Sequence, residues 1–143
     1  MTILVIDDDS AVFETVAAVL DDDGYLCLTA GNTREADLVL ETIPVHAMTL
    51  DLNIPNCDPL KWLEQVALMN PELVRRTVAV TSRVLTPEEE ARVELTGAGL
   101  LLKPFAVGEL RQAIRYRVGR PNDDPEPPLF PPEIQGSPRD ELE

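Results

Sequence analysis

The chain has little of what thiol, histidine or nucleic-acid chemistry would need. Two cysteines, Cys27 and Cys57, stand in 143 residues, too few and too unpatterned for a disulfide framework or a zinc site. As small, buried or half-buried thiols they suit a reducing compartment. The single histidine, His46, precedes an apolar run, has no acid at helical or strand spacing, and reads as structural. Three Phe, two Tyr and one Trp make the core an aliphatic one. Trp62 reads as partly exposed packing. Cations are scarce: 12 Lys and Arg face 26 Asp and Glu, a formal charge of −14. Such a surface repels phosphate backbones and anionic lipids, so neither nucleic acid nor a membrane is an expected direct partner. A divalent cation or a basic protein face fits better. No apolar run approaches the length of a membrane span. Residues 2–6 are too short for a signal segment and run straight into three aspartates, so a cytoplasmic protein is expected.

What is present alternates between two periodicities. Residues 3–6 (ILVI), 26–30, 47–50, 78–80 and 100–102 are short apolar runs, the pattern of strands buried on both faces of a parallel sheet. Between them, apolar residues recur at helical spacing. Val12, Phe13, Val16, Val19 and Leu20 share one stripe, and Ala36, Val39, Leu40 and Ile43 a second. Leu60, Leu63, Val66 and Ala67 make a third, and Leu110, Ile114 and Val118 the last. Caps mark the starts: Asp9 or Ser10, Asn32 with Glu35, Asp58 before Pro59, and Thr86 with Pro87 and Glu89. Pro44, Pro71, Gly97 and Gly99 mark stops. Five strands alternating with five helices predict an α/β, doubly wound parallel sheet with helices on both faces.

The composition changes after Arg117. Residues 121–138 hold seven of the 13 prolines. Residues 118–143 carry seven acids and two bases, a net −5 of the total −14, leaving −9 for residues 1–117. The expected organisation is a domain over 1–118 and an acidic, proline-rich, disordered tail over 119–143. Leu129 and Phe130, between proline pairs, have the form of a docking motif, although a passive spacer is the simpler reading.

The chain is organised around residues 47–55 (AMTLDLNIP), an apolar run that delivers Asp51 from its C-terminal end. Taken alone, Asp51 would merely start a turn. Yet Asp7 and Asp8 leave the first strand in the same way, Thr81 and Ser82 the fourth, and Lys103 the fifth. Ligands bind at the C-terminal strand ends of open α/β sheets, so all these groups can meet in one crevice. Three carboxylates at close range repel unless a cation sits among them. Oxygen-only ligands suit Mg²⁺. A neutralised Asp51 can attack phosphorus, while Thr81 and Lys103 stabilise charge on phosphoryl oxygens.

Residues 3–10 (ILVIDDDS), 50–55 (LDLNIP), 80–82 (VTS) and 103–105 (KPF) together resemble the response-regulator receiver domain of two-component signalling. The resemblance covers residues 2–117. It implies a flavodoxin-like (βα)5 sheet of strand order 2-1-3-4-5 and phosphorylation of Asp51 from a sensor kinase's phosphohistidine or a phosphotransfer protein. It further implies Asp8 as a direct Mg²⁺ ligand, Asp7 through water, Asp51 itself, and Asn53 through its backbone carbonyl. Thr81, Ser82 and Lys103 would hold the phosphoryl group.

The chain departs from the pattern in three places. Leu100 stands where such receivers carry Phe or Tyr three residues before the lysine, so the aromatic half of the usual switch with Thr81 is missing. Asp58–Pro59 replaces a glycine-ended loop and stiffens it. Arg83, two residues past Thr81, would border the phosphoryl group and tune its lifetime together with Asn53. On this reading the chain is a stand-alone receiver and no enzyme beyond its own phosphorylation and dephosphorylation. Its output would be a contact with an unidentified downstream protein, through the face around Arg92, Leu100 and Arg111 or through the tail. A phosphorylation-dependent homodimer is a further expected partner state.

Two alternatives stand beside it. A phosphorylation-independent interaction module could keep the pocket as a relic, which Leu100 favours. A Mg²⁺-dependent aspartyl phosphatase of the haloacid dehalogenase type would use the same residue types. It needs a second Asp two residues after the nucleophile, however, and position 53 is Asn.

Overall fold

The computed structural model describes residues 1–119; apart from Gly119, the tail expected over 119–143 lies outside the described residues. Five parallel strands, β1 (Thr2–Ile6), β2 (Leu26–Ala30), β3 (Ala47–Asp51), β4 (Thr77–Thr81) and β5 (Gly99–Leu102), form one sheet of order 2-1-3-4-5. Six helices connect and flank them: α1 (Ser10–Asp22), α2 (Thr33–Thr42), α3 (Pro59–Met69), α4 (Pro71–Arg75), α5 (Pro87–Thr96) and α6 (Val107–Val118).

Because side chains alternate along a strand, the β-branched and aliphatic runs fill two cores. Leu4, Ile6, Met48, Leu50 and Ala79 pack with α2, α3, α4 and α5. Ile3, Val5, Ala47, Val78 and Val80 pack with Val16, Val19 and Leu20 of α1 and with Leu110, Ile114 and Val118 of α6. The helix starts follow the capping chemistry. Asp9 accepts from the Ala11 amide at 2.9 Å, and Asn32 from that of Glu35 at 2.9 Å. Thr86 and Glu89 form a reciprocal box at 3.0 and 3.1 Å. Gly97, at φ 93°, closes α5 in the left-handed conformation that glycine adopts without steric cost.

Three expectations are corrected. The five expected helices become six. Asn70 ends α3 and, through its side chain, caps α4 at Leu73 (3.2 Å); five residues are too few to show a period. Ile43 is not turned inward. It is the C-cap of α2, already extended at φ −131° and 41% exposed. Trp62 is buried, 8% exposed, and its Nε1–H donates to Asp37 Oδ1 at 2.8 Å, the polar partner a buried indole needs.

His46 is structural, as expected. Its Nδ1 accepts from the Thr2 amide at 2.9 Å and its carbonyl from Arg76 Nε at 2.7 Å. Burial, the N-terminal amino charge and Arg76 hold its pKa below the usual 6.5. Burial, helped by Asp21, pushes the half-buried Cys27 thiol up to about 11, which keeps it protonated and unreactive.

The two aliphatic cores should dominate stability. Leu63, fully buried beneath α3, should lose about 2–5 kcal/mol as Leu63→Ala. Leu68→Ala on the same helix, at an 88% exposed position, should stay within about 0.5 kcal/mol. Urea denaturation of both variants checks this, and equal losses would contradict the assigned faces.

Candidate phosphoryl and metal site

Register brings the site together. Ile6 lies opposite Leu50, Asp51 opposite Val80, and Thr81 opposite Leu102. Asp7 and Lys103, each one residue beyond its strand, therefore arrive at the same edge as Asp51. One carboxylate oxygen from each of Asp7, Asp8 and Asp51 lies within 4.8 Å of the others. Asp7 and Asp51 are buried, at 4% and 6% exposure, while Asp8 faces solvent.

Lys103 Nζ stands 3.1 Å from Asp7 Oδ2 and 3.5 Å from Asp51 Oδ2. The Lys103 amide is held on the Thr81 carbonyl at 2.7 Å, and the Lys103–Pro104 peptide is cis. One ammonium, in contact with two of the three carboxylates, leaves a net negative cluster with oxygen donors only. That donor set fits a hard divalent cation such as Mg²⁺. Asp51 Oδ1 accepts the Asn53 amide at 2.9 Å. Even so, burial, followed by the Asp7 charge, raises the Asp51 pKa against the lowering effects of that bond and of Lys103.

Asn53 has a part that sequence reasoning missed. Its Oδ1 accepts from the Ser82 amide at 2.7 Å, Ser82 Oγ at 2.9 Å and Thr81 Oγ1 at 3.1 Å. Thr81, 1% exposed, also lies 2.9 Å from the Arg83 carbonyl. Its one hydroxyl proton serves one of the two acceptors at a time. Asn at 53 beside a hydroxyl pair at 81–82 was the available signal, but the pairing spans 28 and 29 positions.

Arg83 is not free beside the site. Its guanidinium grips Glu89 at 2.8 and 3.0 Å. This pairing, with the Thr86 backbone, pulls the Glu89 pKa down to about 2. Arg92 is bound to Glu64 at 2.7 and 3.0 Å, and Arg111 to Asp22 and Asp23 at 3.1 Å. Leu100 and Leu102 of β5 are exposed, as are Leu95 of α5 and Val107 of α6, whereas Arg92 and Arg111 are engaged with acids.

A five-stranded 2-1-3-4-5 sheet with an acid cluster and a lysine at its C-terminal edge defines the receiver class of signalling domain. A family model for the response regulator receiver domain matches residues 3–115, and the chain belongs to that family. Among curated relatives, the response regulator MprA of Mycobacterium avium is 33% identical over 129 residues, 88% of this chain and 55% of that protein. The transcriptional regulatory protein PmrA of Pectobacterium parmentieri is 28% identical over 120 residues, 84% of this chain and 53% of its own length. The chain thus spans about half the length of these relatives.

Among solved structures, a CheY-like receiver from Methanospirillum hungatei shares the fold at TM-score 0.75. It is 22% identical and covers 82% of this chain and 92% of that one. A response regulator from Burkholderia pseudomallei, solved with a phosphorylated aspartic acid, calcium ion and citrate, matches at TM-score 0.70. It is 25% identical over 79% of this chain and 65% of that one. Among the described residues no helix is long and apolar enough to cross a membrane.

The raised Asp51 pKa has a sign that can be tested. The folded protein binds this proton more tightly than the unfolded chain, so the group favours folding in acid, and that contribution is lost as pH rises through the folded value. At neutral pH without divalent cations, Asp51→Asn should therefore melt a few degrees higher than wild type. The gap should shrink as pH falls toward the ordinary 3.8. Thermal melts in chelator check this; a lower melting temperature for the variant at neutral pH would contradict it.

Proposed function

We propose that this receiver accepts a phosphoryl group on Asp51 from a sensor kinase's phosphohistidine or a phosphotransfer protein, with Mg²⁺ held by Asp7, Asp8, Asp51 and the Asn53 carbonyl. The observation that carries the reading is the cluster of three carboxylates within 4.8 Å with Lys103 as their one close ammonium. The phosphorylated aspartic acid and calcium ion of the Burkholderia pseudomallei protein support it by likeness.

In the transfer, a carboxylate oxygen of Asp51 attacks phosphorus in line. The P–N bond to the imidazole breaks, its electron pair stays on the departing nitrogen, and an aspartyl phosphate forms. Bound Mg²⁺ would supply charge neutralisation for the approach of an anionic phosphoryl group to anionic Asp51. Lys103 turns its ammonium from the carboxylates toward a phosphoryl oxygen. Thr81 and Ser82 give their hydroxyl hydrogens to the others, exchanging Asn53 Oδ1 for a charged acceptor. Leaving Asn53 and the Arg83 carbonyl draws Thr81 inward and loosens the loop that Arg83 and Glu89 tie to α5. With Leu100 in place of an aromatic residue, this loop carries the signal. Arg83 reaches the phosphoryl group to tune its lifetime only if the Glu89 clamp opens.

The output is a protein contact made in the cytoplasm, and transcriptional control by a partner or an attached segment is one form of it. The domain turns over no separate substrate. A haloacid-dehalogenase-type phosphatase lacks its acid at Asn53.

Incubation with acetyl phosphate and Mg²⁺, read by intact mass, tests the reading. Wild type should gain one phosphoryl group and Asp51→Ala none. Lys103→Met should slow the gain by about 10²-fold. Equal phosphorylation of the Asp51→Ala variant, or none in wild type with either acetyl phosphate or a phosphorylated donor protein, would overturn it.

A further inference from the structure

The edge of the sheet opposite Asp51, where the strands begin, holds two neighbouring recesses. One, of about 370 Å³, is lined by Glu72, Arg75, Arg76, Tyr116 and Arg117. Glu72 pairs with both Arg75 and Arg76. Arg117 is bound to the neutral carbonyls of Arg75 and Gly97, so among the described residues its charge meets no acid there. Arg115 is exposed on the same last turn of α6. In a chain of charge −14, this is a local surplus of cations.

The other recess, between α2 and α3, has a volume of about 680 Å³ and is largely apolar, with Leu40, Val45, Trp62, Val66, Met69 and Leu73 among its walls. Met69, 88% exposed, and Ile43, 41% exposed, form part of its rim. The short helix α4 separates the two: Leu73 lines one recess and Arg75 the other. Five helical residues span only about 7.5 Å.

The described chain ends at Gly119, two residues past Arg117 of the basic recess. The Gly119 carbonyl accepts from the Tyr25 hydroxyl at 2.6 Å, and its amide is held on the Arg115 carbonyl at 2.9 Å. Residues 120–143 follow, beginning RPNDDPEPPLFPPE. Asp123, Asp124 and Glu126 come first, then the uncharged run 127–132 with Leu129 and Phe130 at its centre. At a polyproline rise of about 3.1 Å per residue, a stretch of four to seven residues can reach roughly 12–22 Å and one of ten residues roughly 31 Å, the sequence separations of Asp123 to Glu126 and of Leu129 from Gly119. The chemistry along the chain, acid and then apolar, offers a counterpart to each recess: carboxylates for the arginine-lined one and an uncharged apolar run for the α2–α3 cleft. The uncharged run also brings no acid against Asp37 and Glu41, which border the apolar cleft. Flanking prolines reduce the conformational entropy lost on docking.

We propose that Leu129 and Phe130 of the same chain occupy the α2–α3 cleft, with Asp123, Asp124 and Glu126 crossing the arginine-lined recess. The tail is then an intramolecular ligand of the domain. Trp62 and its hydrogen bond to Asp37 shape the wall that receives the aromatic ring.

The test compares full-length ¹⁵N-labelled wild type with a Leu129→Ser/Phe130→Ser double variant. Amide shifts of residues 40–46 and 62–73 should differ between the two. A synthetic peptide of residues 121–134 should restore the wild-type shifts in the variant. It should bind the variant at least about tenfold more tightly than wild type, whose cleft already holds its own tail. Coincident spectra would overturn the proposal, as would peptide binding equal in both proteins or outside the cleft. Light scattering supplies the last arm. A wild-type dimer that the double variant converts to monomer would give the cleft to another copy's tail and overturn docking within one chain, whereas a monomer with the shifts above supports it.

Discussion

Two buried carboxylates and an exposed third crowd the C-terminal edge of the sheet against one ammonium. Asp7 and Asp51 sit at 4% and 6% exposure, where charge is poorly hydrated and repulsion little screened. Lys103, 3.1 Å from one and 3.5 Å from the other, offsets only part of this. The arrangement persists because three strands end in register, and the strands are held by two aliphatic cores, whose Val5, Ile6, Val16, Val80 and Leu110 also wall the recess beside Asp7, Asp51 and Lys103. An unfavourable local charge is thereby kept, and under the proposed function it is what draws a cation and then a phosphoryl group to the edge.

Asn53 and β4 extend that charge centre into the rest of the molecule. The Asn53 amide donates to Asp51, while its side chain collects Ser82 and Thr81 at 2.7–3.1 Å. Thr81 touches the Arg83 carbonyl, and the Arg83 guanidinium grips Glu89, which is also half of the capping box of α5. A change of charge at Asp51 therefore meets a continuous run of hydrogen bonds that ends at a helix start. Under the proposed function, phosphorylation at Asp51 would act through these contacts, from strand end to helix.

Much of this was legible in the sequence because buried parallel strands announce themselves twice. Their apolar runs fix where they lie, and on β1, β3, β4 and β5 a polar residue at or just past the end of the run marks the C-terminal edge. Asp7, Asp51, Thr81 and Lys103 were found that way, and the cap residues Asp9, Asn32, Asp58 and Thr86 set the helix starts. What was not legible depends on partners far apart in the chain or on elements too short for a period. The Asn53 side chain crosses to residues 28 and 29 positions away. Trp62 is buried because Asp37, on another helix, accepts from its indole. Helix α4, five residues long, has no room to show a hydrophobic stripe. Arg83 reads as a neighbour of the phosphoryl site from its position two residues past Thr81, but its clamp on Glu89, six positions along the chain across the start of α5, was not legible.

The central claim is that the carboxylate cluster is a cation site, and Mg²⁺ titration calorimetry of the wild-type chain and of Asp8→Ala tests it most directly. Asp8 is the exposed member of the cluster, so its removal leaves the two cores untouched. The account predicts one Mg²⁺ per wild-type chain and an affinity lower by at least about tenfold in Asp8→Ala. Absence of Mg²⁺ binding by wild type, or equal binding by the variant, would contradict it.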